Sequence, residues 1–356
     1  MARTKLNHYH PFYDTPPLLP QKRPDFSQDA KVYPIDDLYC AVEVEPGAAM
    51  LASNDYSTDL YELSLAVDTD PDSRFRRDED GLSDSCQQAS VALHKMSISP
   101  THPTHPHIPR WLRRDEWTGY GVIEKPTGMM LEKFLQQQRS VMYTGDRIAP
   151  AFVPLLYQWA LNSLSAMEFC HSHEIIVADF GIWASWLASL EENLSLTLFG
   201  LHHAHFTDEH GGPYLGELRL GPRFSAALLN PREQDWHWVR CHPGFTEKTD
   251  LFDWATFVYE MATDRHPSKN STGAEEKLDP ELQRMDVTGS WPVLEAEYLG
   301  DIVRKCWVRR HYEDAASVKR DLVVFLETKG WRVDGEDNLV GFDATTLPLV
   351  PAPNPL

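Results

Sequence analysis

The stretch that decides the fold covers residues 171–200 and reads HSHEIIVADFGIWASWLASLEENLSLTLFG. A helical, apolar pattern leads into it, a tight acidic turn follows, and a short pair of strands is predicted before its end. It contains two near-identical tripeptides, Asp179-Phe180-Gly181 and Leu198-Phe199-Gly200. They differ only in the first residue, which is a carboxylate in one and an apolar side chain in the other. Which tripeptide occupies the functional position decides whether a complete catalytic site is expected.

Helical periodicity dominates the chain on both sides of this stretch. Helices are predicted over residues 129–139, 152–172, 246–263, 294–307 and 314–329. The pattern over residues 246–263 is apolar on nearly every face, which indicates a helix buried in the centre of a lobe. Thr249 or Asp250 is expected to cap the first N–H groups of that helix.

The region nearer the N-terminus is rich in strand-forming residues. Strands are predicted over residues 38–44, 48–53 and 60–67, with turn residues at Pro46-Gly47 and Asn54-Asp55. One helix is predicted over residues 85–96, and two more strands between residues 110 and 124. The predicted fold class is therefore α+β, with a small antiparallel-sheet lobe and a larger, mainly helical lobe.

These elements divide the chain into four predicted parts. Residues 1–30 form a polar, Pro-rich arm, residues 31–125 the small lobe, and residues 126–331 the large lobe. Residues 332–356, which end in LPLVPAPNPL, are expected to form an extended and loose tail.

Charge and cysteine content exclude several classes of function. The 356 residues carry a formal net charge of −20, so nucleic acids and anionic membranes should be repelled. The five cysteines form no CxxC pair, a pattern that suits buried free thiols in a reducing compartment. No secretory leader is recognisable, and no apolar run approaches the ~18 residues of a membrane span. We expect an intracellular protein, cytoplasmic or nuclear, with neither nucleic-acid nor membrane partners.

Four segments, taken in order, resemble a eukaryotic protein kinase domain. HPHIPR with GYGVIEKPTGMMLEKFL resembles the strand, hinge and first large-lobe helix, which puts Glu124, Lys125 and Pro126 at the hinge of a nucleotide cleft. AMEFCHSHEII resembles the helix before the catalytic loop. TEKTDLFDWATFVYEMATDRHP resembles the buried central helix, with Asp250 as the structural acid at its start. LGDIVRKCWVRRHYEDAASVKRDL resembles the final helix pair.

The resemblance implies positions for the catalytic parts. The kinase loop H-R-D-x-x-x-x-N follows the helix that ends near His173, which aligns it with Val177-Ala178-Asp179. The metal-binding tripeptide comes about 20 residues later, after a short strand pair, and falls on Leu198-Phe199-Gly200. The alternative takes Asp179-Phe180-Gly181 as the metal motif, which would require a catalytic loop inside the uninterrupted helical pattern near Leu161. We therefore interpret the visible DFG as a catalytic-loop acid followed by two residues that happen to complete the motif.

Most of the catalytic groups are replaced in this alignment. Asp179 stands where the kinase base accepts the proton of the substrate hydroxyl. Leu198 replaces the magnesium-binding carboxylate, and Ala184 replaces the asparagine that holds the second metal ion. The loop lysine, arginine and histidine are replaced by Gly181, Ala178 and Val177, respectively.

The loop also resembles that of divergent fungal kinase-like proteins. Those families have a glycine two residues after the aspartate, as this chain does at Gly181. They usually keep Arg-Asn where this chain has Trp183-Ala184, so the resemblance is incomplete.

The small lobe lacks the phosphate-binding groups as well. No lysine lies between Lys31 and Lys95, and Glu62 or Ser64 falls near the position of the kinase strand lysine. Gly47 and Gly81 are the only glycines of that region, so a Gly-rich phosphate loop is missing.

Two other polar features allow more than one interpretation. The cluster of His202, His203, His205 and His210 could bind zinc, although a polar loop is favoured and no metal is expected. Asp179 could cap backbone N–H groups as readily as act as a catalytic remnant.

Two functional hypotheses follow from these replacements. The leading one is a catalytically inactive pseudokinase, a protein-interaction or regulatory module with an unidentified protein partner and no cofactor. The alternative is a divergent, weakly active ATP-dependent protein kinase that uses Asp179 as its base and needs ATP and magnesium. A third hypothesis is an α+β protein whose likeness to kinases is coincidental.

Overall fold

The computed structural model describes the greater part of the two predicted lobes. The described residues are 32–34, 39–53, 82–98, 104–114, 121–178, 180–206, 245–268, 284–285, 287–308 and 311–351. The predicted arm at residues 1–30, the predicted strand at residues 60–67, Asp179 and His210 lie outside them.

The small lobe is built on a five-stranded antiparallel sheet. Its strands are β1 (Val32–Pro34), β2 (Tyr39–Glu45), β3 (Ala48–Ser53), β4 (Trp111–Arg114) and β5 (Gly121–Glu124). They lie in the order β1-β2-β3-β5-β4, so that β3 in the middle pairs Met50 with Val122 of β5. Helix α1 (Leu82–Ser97) packs on β3 and β5 through its buried face, which includes Ala92, Leu93 and Met96.

A tight hairpin joins the two longest strands of this sheet. Gly47, between β2 and β3, has a φ of +79°, a left-handed conformation that glycine adopts without the steric cost of a side chain. The predicted strands 38–44 and 48–53 are confirmed at this hairpin. Strand β1 was not predicted, because three residues are too few to show an alternating pattern.

The large lobe is mainly helical. Its helices are α2 (Leu131–Met142), α3 (Val153–Ser172), α4 (Glu247–Thr263), α5 (Gly300–Trp307) and α6 (Ala315–Thr328). Short strand pairs connect them: β6 (Tyr143–Thr144) with β7 (Arg147–Ile148), β8 (Ile175–Ile176) with β11 (His205–Phe206), and β9 (Ser185–Leu187) with β10 (Leu196–Leu198). The predicted α+β class, with a small antiparallel sheet and a larger helical part, is confirmed.

Helix α4 is buried at the centre of the large lobe, as its apolar sequence predicts. It packs between α3 and α5. Trp254 is fully buried, and its indole Nε1 donates to the carbonyl of Ala160 on α3 at 3.1 Å. The indole therefore fixes α4 against α3 by a hydrogen bond as well as by its buried area.

The predicted helix over residues 294–307 starts later than its periodicity suggests. A 3-10 turn (Ala296–Tyr298) comes first, and Leu299 then adopts a left-handed φ of +69° before α5 begins. A side chain at Gly300 would lie 1.8 Å from the carbonyl oxygen of Leu294. The chain therefore folds back on itself at this point, and a continuous helix is excluded. Helix α6 forms as predicted, with Asp314 accepting from the amide of Ser317 at 2.7 Å.

The expectation of a loose tail after Trp331 is wrong for residues 332–351. Leu339, Phe342 and Ala344 are buried against the large lobe. Val333 and Leu339 form an isolated bridge, and a 3-10 turn covers Ala344–Thr346. The sequence pattern did not predict this packing, because these contacts are made to distant side chains and leave no periodicity in the segment itself.

No helix in the described part of the chain is long and apolar enough to cross a membrane.

Candidate functional site

The turn after α3 is held in place by a buried carboxylate from α4. One oxygen of Asp250 accepts the amide of Val177 and the other accepts the amide of Ala178, both at 2.8 Å. The Nε2 of His171 lies 2.7 Å from the same carboxylate. Asp250 is fully buried, so these three contacts stabilise its negative charge.

Asp250 does not cap its own helix, and the N-cap is Thr246, so neither of the two predicted capping residues occupies that position. At the start of α4 the amide of Thr246 donates to the hydroxyl of Thr249 at 3.0 Å. Thr249 thereby completes a capping box with the N-cap Thr246, and the carboxylate of Asp250 remains available for the turn before residue 179.

That turn includes an unfavourable backbone conformation. Ala178 has a φ of +50°, in the left-handed region that costs a residue with a side chain about 1 kcal/mol. It is buried and hydrogen-bonded to Asp250. The carboxylate of Asp250 thus holds the turn as far as Ala178, and Asp179 lies outside the described residues.

The residues after Asp179 pack into the core of the large lobe. Phe180 is buried, with its ring centroid 5.0 Å from that of Phe257 on α4. Gly181 follows, and a 3-10 turn covers Ile182–Ala184. Phe180 and Gly181 therefore serve as packing and turn residues in the part of this tripeptide that the structure describes.

A hairpin separates the two tripeptides. Strands β9 and β10 are antiparallel, with Leu196 opposite Leu187 and Leu198 opposite Ser185. This is the strand pair predicted between the two tripeptides. Leu198 ends the second strand, is fully buried, and donates its amide to the carbonyl of His107 at 2.9 Å.

The second tripeptide is bound to the 3-10 turn that follows the first. The amides of Phe199 and Gly200 both donate to the carbonyl of Ala184, at 2.8 and 2.9 Å. The Phe199 ring lies 4.9 Å from the ring of Trp186, and a side chain at Gly200 would come within 2.9 Å of Ala184. The structure therefore brings Ala184 and the Leu198-Phe199-Gly200 turn together, while Val177 and Ala178 are held by Asp250.

The predicted hinge residues, Glu124, Lys125 and Pro126, lie between the end of β5 and the start of the large lobe. The amide of Glu124 donates to Arg110 O and the amide of Lys125 donates to Gly47 O, each at 2.8 Å. The Glu124 carboxylate lies 2.9 Å from the Arg110 guanidinium, and Lys125 Nζ lies 3.8 Å from Glu43. Pro126 then leads out of the sheet towards α2.

The segment after the hinge is braced against the β9–β10 hairpin. The amide of Gly128 donates to Leu187 O at 3.2 Å, and the amide of Leu187 donates to Met129 O at 2.8 Å. A side chain at Gly128 would lie 2.3 Å from the carbonyl oxygen of Ala188. Close backbone approach therefore requires glycine here, and it ties the hinge to the strand pair that ends in Leu198.

The sheet strand beside the hinge strand has no phosphate-binding group. Strand β3 reads AAMLAS, and its residues 48–51 are buried. It pairs directly with β5, which leads into the hinge. The predicted replacements for the kinase lysine, Glu62 and Ser64, lie outside the described residues.

The described histidines of the cluster are packing groups. Burial lowers the pKa of His202 and of His205 to about 3, so both rings are neutral at physiological pH. The His205 ring stacks on Phe245 at 4.0 Å, and His203 meets Trp183 edge-on at 5.9 Å. Among the described residues, no group of three or more His, Cys, Asp or Glu side chains is placed to hold a metal ion.

A buried polar network beside the hairpin was missed from the sequence. Asn162 of α3 accepts from the amide of Leu196 at 3.1 Å, and the Nδ1 of His107 lies 3.0 Å from Leu196 O. Burial lowers the pKa of His107, although its hydrogen bonds with two carbonyl groups favour the charged form. The helix pattern carried a signal for this network, because Gln158, Asn162 and Ser165 follow one another at helical spacing within a mostly apolar helix.

Comparison with known proteins yields a structural similarity. No family model matches this chain, and no curated protein matches it. The chain is similar to the crystal structure of the Rad53 kinase domain and SCD2, with a TM-score of 0.46 and 14% identity. That similarity covers 83% of this chain and 88% of the other chain.

Proposed function

We propose that this chain is a catalytically inactive, protein-kinase-like module that acts by binding a protein partner. The observation that carries the proposal is the burial of the apolar side chain of Leu198. By the resemblance, its position belongs to the carboxylate that holds magnesium, yet the side chain is apolar and fully buried. Its strand is part of the core of the large lobe, between α3 and the loop that carries His107.

The replacements at the other catalytic positions also argue against phosphoryl transfer. Phosphoryl transfer depends mainly on positioning and charge stabilisation, and loss of one preorganised electrostatic group commonly costs ~10²–10³ in kcat. Here Ala184 replaces a metal ligand, and β3 offers only alanine, methionine, leucine and serine beside the hinge strand. No described side chain near the hinge or the Leu198 turn supplies a substitute metal site.

The partner class follows from charge. With a formal net charge of −20, the chain is unsuited to nucleic acids and to anionic membrane surfaces. A protein surface remains the partner that such a module would recognise. We place this activity inside the cell, in the cytoplasm or the nucleus, because the sequence carries scattered, unpaired cysteines.

One observation favours the second candidate, a weakly active ATP-dependent kinase with Asp179 as its base. The support for the turn before residue 179 is intact, since Asp250 holds the amides of Val177 and Ala178 at 2.8 Å. A turn fixed in this way could present the Asp179 carboxylate to a substrate hydroxyl. ATP and magnesium would then be required, with a metal site different from that of kinases.

A thermal-shift titration with ATP and magnesium separates the two candidates. A ligand at a hundredfold excess over its Kd stabilises the folded state by about 2.7 kcal/mol, enough to raise the Tm by several degrees. The proposal predicts no shift. A magnesium-dependent shift that is retained in Asp179→Asn, and in the control Glu327→Gln at an exposed position of α6, would show that nucleotide still binds. That result would contradict the proposed loss of the phosphate-binding site.

A further inference from the structure

A segment at the C-terminal end of the structure crosses the large lobe and reaches the candidate site. We define residues 332–351 as the strap. It is attached by three buried apolar anchors, Leu339, Phe342 and Ala344, while Val340 between them is 42% exposed. Its backbone is largely irregular, so neighbouring side chains have to satisfy its N–H and C=O groups.

Side-chain amides of the large lobe recognise the strap through its backbone. Gln138 accepts the amide of Val350 at 2.7 Å and donates to its carbonyl at 3.0 Å. Gln158 accepts the amide of Leu339 at 2.8 Å. Asn193 accepts the amide of Ala344 at 3.0 Å. The two glutamines are almost completely buried, so the strap covers a built surface.

An ionic anchor fixes the middle of the strap. The Asp337 carboxylate lies 2.8 Å from Lys319 Nζ, which also lies 2.9 Å from the Glu168 carboxylate. The hydroxyl of Ser165 donates to the carboxylate of Asp337. Asp337 has a left-handed φ of +58°, so this anchor holds a conformation that is unfavourable for a residue with a side chain.

Two buried side chains connect the strap to the strand that ends in Leu198. Asn162 donates to Asp337 O at 2.8 Å and accepts from the amide of Leu196 at 3.1 Å. His107 has its Nε2 2.8 Å from Glu336 O and its Nδ1 3.0 Å from Leu196 O. The carbonyl of His107 also accepts the amide of Leu198 at 2.9 Å.

The two side chains that connect the strap to β10 are buried in the protein interior. Asn162 is fully buried, so loss of its hydrogen bond to Asp337 O leaves a buried donor that must find a new partner. His107 is 1% exposed, and its neutral ring carries a single N–H, which donates to one of its two carbonyl neighbours. Release of the strap would therefore open the surface beneath it and loosen the hold of these two side chains on β10.

We propose that the strap is an internal ligand whose docking sets the position of the Leu198-Phe199-Gly200 turn. Its release is the conformational change by which the module would respond to a partner, and in this respect the inference rests on the proposed function. The surface under the strap recognises an extended peptide with apolar side chains at the positions of Leu339, Phe342 and Ala344. The occupant is the strap of the same chain.

Amide hydrogen exchange on the full chain tests this coupling. Phe342→Ala removes an apolar anchor of the strap, and Val340→Ala alters an exposed strap residue as the matched control. We expect Phe342→Ala to raise the exchange rates of the Leu196 and Leu198 amides at least tenfold, with the α4 amides unchanged. Val340→Ala should leave all of these rates unchanged. Faster exchange at Leu339 with no change at Leu196 and Leu198 would overturn the coupling, as would an equal rise throughout α4.

A second measurement covers the case in which Phe342→Ala leaves the strap docked. A protease site is inserted after Gly330, which itself is kept because its φ of +85° favours glycine, and the full chain is cut after folding. Cutting and washing should speed exchange at Leu196 and Leu198, and excess synthetic peptide of residues 332–351 should slow it again. Slow exchange in the strap-free protein, or no effect of the peptide, would refute the proposal. A nucleotide-dependent thermal shift would refute the proposed function while leaving this exchange result standing.

Discussion

Replacing Asp250 by asparagine should destabilise the protein by about 3 kcal/mol. The carboxylate is fully buried and accepts the amides of Val177 and Ala178, each at 2.8 Å. An asparagine side chain keeps one acceptor oxygen, so one of the two amides would face an NH₂ group. A buried donor left without an acceptor costs about 1–3 kcal/mol, and the remaining bonds lose their charge assistance.

The same substitution should loosen the turn locally. Ala178 holds a left-handed φ of +50° and its amide donates to Asp250. Without that acceptor, the strain of about 1 kcal/mol would be relieved by rearrangement of the turn. Amide exchange should therefore accelerate at Val177 and Ala178 beyond what the global loss of stability explains.

Urea denaturation gives the free energy of unfolding, and Glu247→Gln is the matched control. Glu247 lies on the same helix, but its carboxylate is 40% exposed and 3.8 Å from the His171 ring. A partly exposed carboxylate at that distance contributes about 1 kcal/mol or less, so the control should remain near the native value. A loss below about 1 kcal/mol in Asp250→Asn, or equal losses in both variants, would refute the role assigned to Asp250.

Two further predictions concern packing and pH. Gly128→Ala should cost about 1–3 kcal/mol in urea denaturation, because its side chain would meet the carbonyl of Ala188 at 2.3 Å, whereas Gly335→Ala, with open space around it, should be neutral. Burial lowers the pKa of His205 to about 3, against 6.5 for the unfolded chain. The unfolded state therefore takes up a proton first, and stability falls as the pH drops below 6.5. When the pH is lowered from about 7.5 to 5.5, the free energy of unfolding of His205→Phe should fall by about 1.4 kcal/mol less than that of the native protein. An equal fall in both proteins would contradict a buried neutral ring.

Local patterns were sufficient to predict most of the fold. The apolar periodicity of α4 predicted a buried central helix, and Pro46-Gly47 predicted the hairpin between β2 and β3. These signals lie within a few residues of the structure that they specify. The same holds for the strand pair between the two tripeptides, which fixes their separation along the chain.

The parts that were missed depend on distant contacts. Asp250 serves a turn more than 70 residues away, as the separations from Val177 and Ala178 show, so its local position suggested a helix cap instead. The strap has no periodicity of its own, since its backbone partners are Gln138, Gln158 and Asn193. The buried amides Gln158 and Asn162 in the mostly apolar helix α3 were the available signal, and their partners become evident only in three dimensions.

Phosphate transfer from ATP tests the central claim most directly. The purified full chain is incubated with ATP labelled on its γ-phosphate, with magnesium or manganese, and with a mixture of protein substrates, beside the variant Asp179→Asn. The structure buries an apolar Leu198 where the resemblance requires a metal-binding carboxylate, so the account predicts no transfer above the level of the variant. Transfer by the native chain that disappears in Asp179→Asn would contradict it and would establish Asp179 as the base of an active enzyme.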